Sequence, residues 1–391
     1  MIELEQAREL TWNYPLPAGI ETISVEEAMG RVLAEDLRTD RDAPPFNRAT
    51  MDGFACNRKD LPGPMEVIET VPAGKMPQKP VGKGQCSRIM TGAMVPDGAD
   101  CVIMQEYVET GEDGRVLFTG YSTETNIHPQ GKDLREGDLL LRKGIRLTPG
   151  HIGIITSTGR SRVSVSGALK VGILANGSEL VEPHIKPEGP QIRDSNSRQL
   201  AAQVRRAGHI PEQLGIVPDD SDLLSQKIIR AMEEVDLLLL TGGASAGELD
   251  LVPGLLQKLG FILEFDRVAI QPGKPISFGH RDGKACFGLS GNPVSSFVQF
   301  ELLVRPYLEK CSGEKPPGRL VRIRMDKGYL RKQADRKFFL PVSFTPQGKC
   351  VALKYHGSGH LHVLEKISGF AVMPAGKRKI KKGDWVNVRL I

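Results

Sequence analysis

A multidomain fold combining α/β and all-β parts is predicted by three observations. The length of 391 residues exceeds what one hydrophobic core serves, at roughly 100–200 residues per domain. Residues 169–312 alternate short apolar runs with helical patterns, and residues 313–391 carry strand patterns alone. The elements follow in order. Ser24 and Glu27 form an S-x-x-E capping box, and Val25, Ala28, Met29, Val32 and Leu33 give a helical stripe, so a first helix is expected there. From Asp40 to about Lys132 the chain is rich in Pro and Gly, with short β-like pieces at 101–108 and 116–119. This predicts a β-rich module, 41–131, inserted into a longer-ranging segment of 1–40 and 132–168; helical or mixed structure resumes at 148–161.

Next come strands at 171–174, 214–217, 236–240 and 285–289, alternating with helices at 197–207, 221–234, 252–259 and one starting at Pro293. Strands alternating with helices at this spacing mean βαβ units and a parallel sheet. Asn292-Pro293 reads as an N-cap followed by proline in the first turn. After Gly313, strands are predicted at 320–325, 338–344, 351–355, 370–373 and 385–390, with Gly or Pro in the turns. They describe a small β-barrel or sandwich.

Composition narrows the function classes. Hydrophobic residues at 40% and charged residues at 25% are an ordinary globular balance and exclude a mostly disordered chain. Aromatics at 5% with two Trp argue against a base-stacking surface. The net charge of +5 suits an anionic small molecule and is too weak to imply nucleic acid. No run approaches the ~18 apolar residues of a membrane span, and the N-terminal MIELEQARE carries three glutamates rather than a secretory signal. Six cysteines, at 56, 86, 101, 286, 311 and 350, show no C-x-x-C spacing; they read as reduced, partly buried thiols, which places the protein in the cytoplasm.

Three loops sit at the carboxyl ends of predicted strands: 175–180, 241–250 and 290–293. Those ends line one edge of an open parallel sheet, where ligands bind. Glycine lets backbone N–H groups converge on an anion, so a phosphorylated ligand is expected. Glu179, Asp194, Glu248 and Asp250 fall in or near these loops. Carboxylates beside a phosphate repel it unless a cation intervenes, and hard oxygen ligands with phosphate suit Mg²⁺. The plainer alternative makes Glu179 and Asp194 helix-capping or solvated acids. Residues 288–292 fall one residue short of a G-x-S-x-G elbow, no Walker-type loop is present, and the basic run 377–382 lacks interleaved aromatics.

Several ordered motifs carry a resemblance: Met51-Asp-Gly-Phe-Ala55, Thr91-Gly-Ala-Met-Val-Pro-Asp-Gly-Ala-Asp100, Gln191-Ile-Arg-Asp-Ser-Asn196, Gly242-Gly-Ala-Ser-Ala-Gly247, Pro272-Gly-Lys-Pro275 and Gly291-Asn-Pro-Val-Ser295. Over nearly its whole length the chain resembles the molybdopterin molybdenumtransferase (MoeA) family, related to the gephyrin E domain. The resemblance implies a homodimer with an extended dimerising segment (1–40 and 132–168), an inserted β-rich module (41–131), a molybdopterin-binding α/β domain (169–312) and a C-terminal β-barrel (313–391). It implies insertion of molybdenum from molybdate into adenylylated molybdopterin with release of AMP, at a site between one subunit's α/β domain and the partner's β-module. An upstream adenylyltransferase and molybdoenzyme acceptors are the implied partners, with no nucleic acid and no membrane.

By motif, the resemblance makes Asp52, Asp133, Glu179, Asp194 and Asp250 the acidic set, with Glu179, Asp194 and Asp250 on Mg²⁺. Gly242, Gly243, Ser245, Gly247, Ser290, Gly291, Asn292 and Pro293 would hold the pterin and its phosphates. Lys274, Pro275, Arg336 and Ser358 fall where the family binds molybdate, a dianion suited to cationic and hydroxyl donors. The chain departs from the family pattern at Thr50, at Asn176-Gly-Ser178, at Gln271 and at Pro341, the last two standing where cations are common. Rival readings are a tungstate-preferring paralogue and a non-catalytic pterin-binding scaffold.

Overall fold

The computed structural model describes residues 1–243, 251–315 and 318–391. The chain divides into two compact units, one of residues 1–35, 143–149 and 162–391, the other of residues 36–142 and 150–161.

The first unit opens with helix Leu4–Trp12 and strand Ile20–Ser24, which pairs antiparallel with Arg162–Ser166. The helix expected over 25–33 does not form. Its capping box survives only as a turn, the Glu27 N–H reaching the Ser24 hydroxyl at 3.4 Å, and Gly30 closes it at φ 77°. Beyond it the backbone is claimed from both sides: Gly30 and Leu33 donate to Leu147 and Ile145, each at 2.9 Å, and Ser166 donates to Val32 at 2.8 Å. Val25, Val32 and Leu33 are all buried. Extended pairing with two neighbours thus satisfies the apolar pattern better than a lone helix, and tertiary contact overrides the local signal.

The α/β domain follows. Its elements are β1 (Lys170–Asn176), α1 (Asn196–Arg206), β2 (Ile210–Val217), α2 (Ser221–Glu234), β3 (Leu237–Thr241), α3 (Leu251–Lys258), β4 (Ile262–Arg267), β5 (Pro275–Arg281), β6 (Lys284–Leu289), α4 (Pro293–Gln299) and α5 (Arg305–Cys311). The sheet runs β2-β1-β3-β6-β5-β4. The first four strands are parallel, as expected; β5 and β4, absent from the sequence reading, join antiparallel at one side. Along β3, Leu237 and Leu239 face one core cluster and Leu238 and Leu240 the other. Helices cover both faces, which is why the strand is an unbroken apolar run rather than an alternating one.

Between α4 and α5 the helix widens into a π-helical stretch, Phe300–Val304. It carries Glu301, fully buried, against Arg206, Arg305 and Gln203. The C-terminal strands Leu320–Arg324, Lys337–Phe344, Cys350–Ala352, Gly369–Met373 and Trp385–Leu390 form one sheet whose edge strand is Ile270–Gln271, lent by the α/β domain and paired with Lys337–Phe338.

In the second unit, Gly53–Cys56 lies between Gln85–Ile89 and Cys101–Met104 in a four-stranded sheet completed by Glu66–Val71. Among the described residues no helix is long and apolar enough to cross a membrane.

Acid sensitivity is built into the first unit. His209 is 5% exposed, and its Nδ1 accepts the Leu169 N–H at 3.1 Å. Burial, reinforced by Arg146 and Arg31, pushes its pKa down from 6.5 to about 4. The unfolded chain therefore takes up the proton first. The stability from the neutral ring is fully present above pH 6.5 and is lost as pH falls towards 4, a difference of roughly 3 kcal/mol. Urea denaturation between pH 7 and pH 4.5 should show a distinctly flatter decline for His209→Gln than for the unsubstituted chain.

Candidate active site

The parallel strands set the position of the site. The chain steps from β1 outward to β2, then crosses back to place β3 on the other side of β1. At such a reversal the loops leaving the carboxyl ends of the two inner strands part, and a crevice opens between them. Here it is a cleft of about 870 Å³ lined by Asn176, Gly177 and Glu179 after β1, Asp219 after β2, Thr241–Gly243 after β3, and Ser290–Pro293 after β6. The first residues of α1 and α2, Asn196 and Ser221, also face it, as do Gly359 and Leu361 of the C-terminal region.

The loops are held by direct bonds. Gly242 has φ 93°, and a Cβ there would lie 1.9 Å from the Asn176 carbonyl oxygen, so only glycine lets the β1 and β3 loops meet. Asp219 bridges the neighbouring turn: its carboxylate accepts from Asn176 Nδ2 at 2.6 Å and from the Ser178 N–H at 3.1 Å, while its own N–H donates to Ser178 Oγ at 3.0 Å. Asp194 is buried and caps α1, accepting from the Ser197 N–H at 3.0 Å and from the Ser197 hydroxyl. Asn196 Nδ2 donates to Thr241 Oγ1 at 3.0 Å and to the Gly291 carbonyl at 2.8 Å. Buried Gln299 takes the Ser290 N–H at 2.8 Å and donates to the Gly273 and Pro275 carbonyls at 3.0 and 2.6 Å, tying the cleft to the Lys274 turn.

Two features of this lining call for a ligand. The amide oxygens of Asn176 and Asn196 are buried with no hydrogen-bond partner, although their amide nitrogens are satisfied. An unpaired buried acceptor costs on the order of 1–3 kcal/mol, so each awaits a donor or a cation. The described lining also carries three carboxylates, Glu179, Asp194 and Asp219, against one cation, Arg193. All these donors are oxygens, the set a hard divalent ion takes. Among the described residues no group of three or more His, Cys, Asp or Glu that could hold a metal ion is found.

The sequence-predicted residues distribute unevenly. Glu179, Asp194, Gly242, Gly243, Ser290, Gly291, Asn292 and Pro293 come together in the cleft. Ser245, Gly247, Glu248 and Asp250 lie outside the described residues. Ser358 sits beside the cleft, its carbonyl accepting the Val294 N–H of α4 at 3.0 Å. Lys274, Pro275 and Arg336 do not line it; Arg336 Nη1 instead donates to the Ile270 carbonyl at 3.2 Å, next to Gln271, whose amide oxygen is buried without a partner.

Asp52 and Asp133 belong to the second unit. The Thr91 N–H, at 2.6 Å, and the Thr91 hydroxyl, at 2.8 Å, hold the Asp52 carboxyl below its ordinary range. Asp133 pairs with His128 at 3.2 Å. Asp219 was missed in the sequence because its loop has no glycine to mark it, although Pro218-Asp219-Asp220 directly follows a predicted strand.

Comparison with known proteins agrees with this architecture. Residues 2–159 match the MoeA N-terminal region (domain I and II), and residues 172–310 match the probable molybdopterin binding domain. The molybdopterin molybdenumtransferase of Bacillus subtilis (strain 168) is 33% identical over 100% of this chain and 94% of its own length. That of Haemophilus influenzae is 32% identical over 99% and 98%. The crystal structure of the molybdopterin biosynthesis moeA protein from Pyrococcus horikoshii OT3 superposes with a TM-score of 0.85 at 30% identity, covering both chains completely. Full-length similarity at this level means that the chain belongs to the molybdopterin molybdenumtransferase (MoeA) family of molybdenum cofactor biosynthesis.

Proposed function

We propose that this chain, as a cytoplasmic homodimer, takes adenylylated molybdopterin from an upstream adenylyltransferase, inserts molybdenum from molybdate into its dithiolene, releases AMP with the help of Mg²⁺, and passes the product to molybdoenzymes. The observation that carries this reading is the charge balance of the cleft. Three carboxylates facing one arginine would repel a phosphorylated ligand unless a divalent ion accompanies it. Bound there, Mg²⁺ would neutralise the phosphate oxygens as the phosphoanhydride breaks. Glu179 and Asp219 are the described carboxylates best placed to hold it, since both are exposed at the cleft. Asp194 serves first as the cap that sets α1 and Asn196.

The glycines at 242, 243 and 291 let backbone groups approach the ligand, and the amide oxygens of Asn176 and Asn196 accept from its N–H or O–H groups. Asp52, Asp133 and Asp250 complete the proposed acidic set, and Lys274, Pro275, Arg336 and Ser358 the proposed molybdate site.

The test is incubation of the full chain with adenylylated molybdopterin, molybdate and Mg²⁺, following AMP. Release is expected to stop in excess EDTA and return when Mg²⁺ is restored. Asp219→Asn should slow it by about tenfold or more, the worth of one charge-assisted interaction. Full release in EDTA would overturn the role of the ion, and no release under any of these conditions would overturn the transferase reading.

A further inference from the structure

Three cysteines of the second unit stand on one rung of its sheet. Cys56 is the register partner of Cys86 on one neighbouring strand and of Cys101 on the other. All three are buried and reduced, packed with Met65, Ile103 and Val116. As three small apolar residues they would need no special relation to one another, yet the two flanking thiols differ. Cys56 Sγ and Cys101 Sγ lie 3.6 Å apart and share a hydrogen bond; Cys86 has no such contact among the hydrogen bonds of the described residues. The Cys56 and Cys101 thiols are both fully buried, while Asp100, next to Cys101 in the chain, and Arg58 are exposed and the Arg58 N–H donates to Asp100 Oδ1 at 2.7 Å.

We propose that Cys101 and Cys56 are a redox-active dithiol, a modification site that closes to an intramolecular disulfide when a peroxide oxidises it. Cross-strand partners have Cβ atoms about 4.5–5.5 Å apart, and a disulfide needs about 3.5–4.5 Å with an S–S bond of about 2.05 Å. Closure therefore requires only a small approach of two strands already paired. The environment also assigns the roles. Besides reaching the Cys56 carbonyl at 3.6 Å, the Cys101 thiol shares a hydrogen bond with the Cys56 thiol in which either can be the donor. This bond draws the Cys101 pKa below the ordinary thiol value; burial and the Asp100 carboxylate oppose the shift, and Arg58 supports it. That same bond, with burial, pushes Cys56 up. Burial alone raises Cys86 to about 12, which keeps it protonated and inert.

The chemistry balances. The Cys101 thiolate attacks one oxygen of hydrogen peroxide and the O–O bond breaks; Cys101 becomes a sulfenic acid, and the departing hydroxide takes up a proton to leave as water. Cys56 Sγ then attacks the sulfenic sulfur. The S–S bond forms, the S–O bond breaks, and the second hydroxide leaves as water with the Cys56 proton. Two thiols have given two electrons to one peroxide.

The experiment treats the reduced full chain with one equivalent of hydrogen peroxide, alkylates the remaining thiols in denaturant, and reads intact mass and peptide map. Of six cysteines, two should become unreactive, recovered as a linked Cys56–Cys101 peptide and restored by dithiothreitol. Cys86→Ser should leave this loss of two thiols unchanged, and Cys56→Ser should stop at a sulfenic acid on Cys101 that dimedone labels. Six reactive thiols after the peroxide is consumed, or a linkage that includes Cys86, would overturn the proposal.

Discussion

Gly242→Ala should lose AMP release by roughly 100-fold, the effect of about a 1 Å misplacement of reacting groups, and should also destabilise the first unit. The new Cβ would sit 1.9 Å from the Asn176 carbonyl oxygen, so the β1 and β3 loops must separate where they build the cleft. The left-handed φ of 93° adds its own strain. Together these cost about 2–4 kcal/mol. Gly283 is the control, in the turn between β5 and β6. Its φ is 71° and a Cβ there meets nothing within 4 Å, so Gly283→Ala should cost only about 1 kcal/mol and leave AMP release intact. Urea denaturation and the AMP assay on both variants decide the matter; equal activity would mean that the loops tolerate being parted.

The largest loss of stability is expected from Glu301→Ala. Glu301 Oε1 accepts from Arg206 at 2.7 Å and Gln203 at 2.9 Å, and Oε2 from Arg305 at 3.0 Å. Arg389 donates to its carbonyl at 2.7 Å. Truncation leaves Arg206, Gln203 and Arg305 facing a cavity, while Arg389 keeps the backbone carbonyl. The Arg206 side chain, 45% exposed, can return to water, whereas that of Arg305, 14% exposed, cannot and keeps only Glu309, at 3.2 Å. Breaking a buried pair from one side costs about 3–5 kcal/mol. A drop below about 1 kcal/mol in denaturation would show that water already screens these charges.

What could be read from the sequence follows from how local each cause is. The four parallel strands were legible because burial on both faces writes itself as runs such as Leu237–Leu240. β4 and β5 escaped notice because Glu264, Asp266 and His280 interrupt their apolar patterns; the Glu264–His280 pair, at 3.1 Å, joins strands that no single segment reveals. The stripe at 25–33 was real as burial at Val25, Ala28, Val32 and Leu33, failed at the exposed Met29, and was misleading as geometry, since its partners come from residues 145–147 and 164–166. In the site, glycine loops and motifs pointed to Gly242 and Ser290–Pro293. Asp219 and the unpaired amide oxygens of Asn176 and Asn196 belong to contacts between loops, and only the folded chain shows them.

The borrowed edge strand Ile270–Gln271 bears on inheritance. A seam near residue 313 looks like a place where a tail could be gained, lost or exchanged between relatives. Cutting there would strip Lys337–Phe338 of the pairing on one side, leaving Phe338 joined only to Met373 and an open edge ready to recruit a foreign strand. The remaining piece would lose the Ser358 carbonyl bound to Val294 and the Gly359–Leu361 wall of the cleft. Recombination near 313 therefore keeps both halves working only where the incoming segment rebuilds these contacts, whereas either half expressed alone should present an open edge and aggregate.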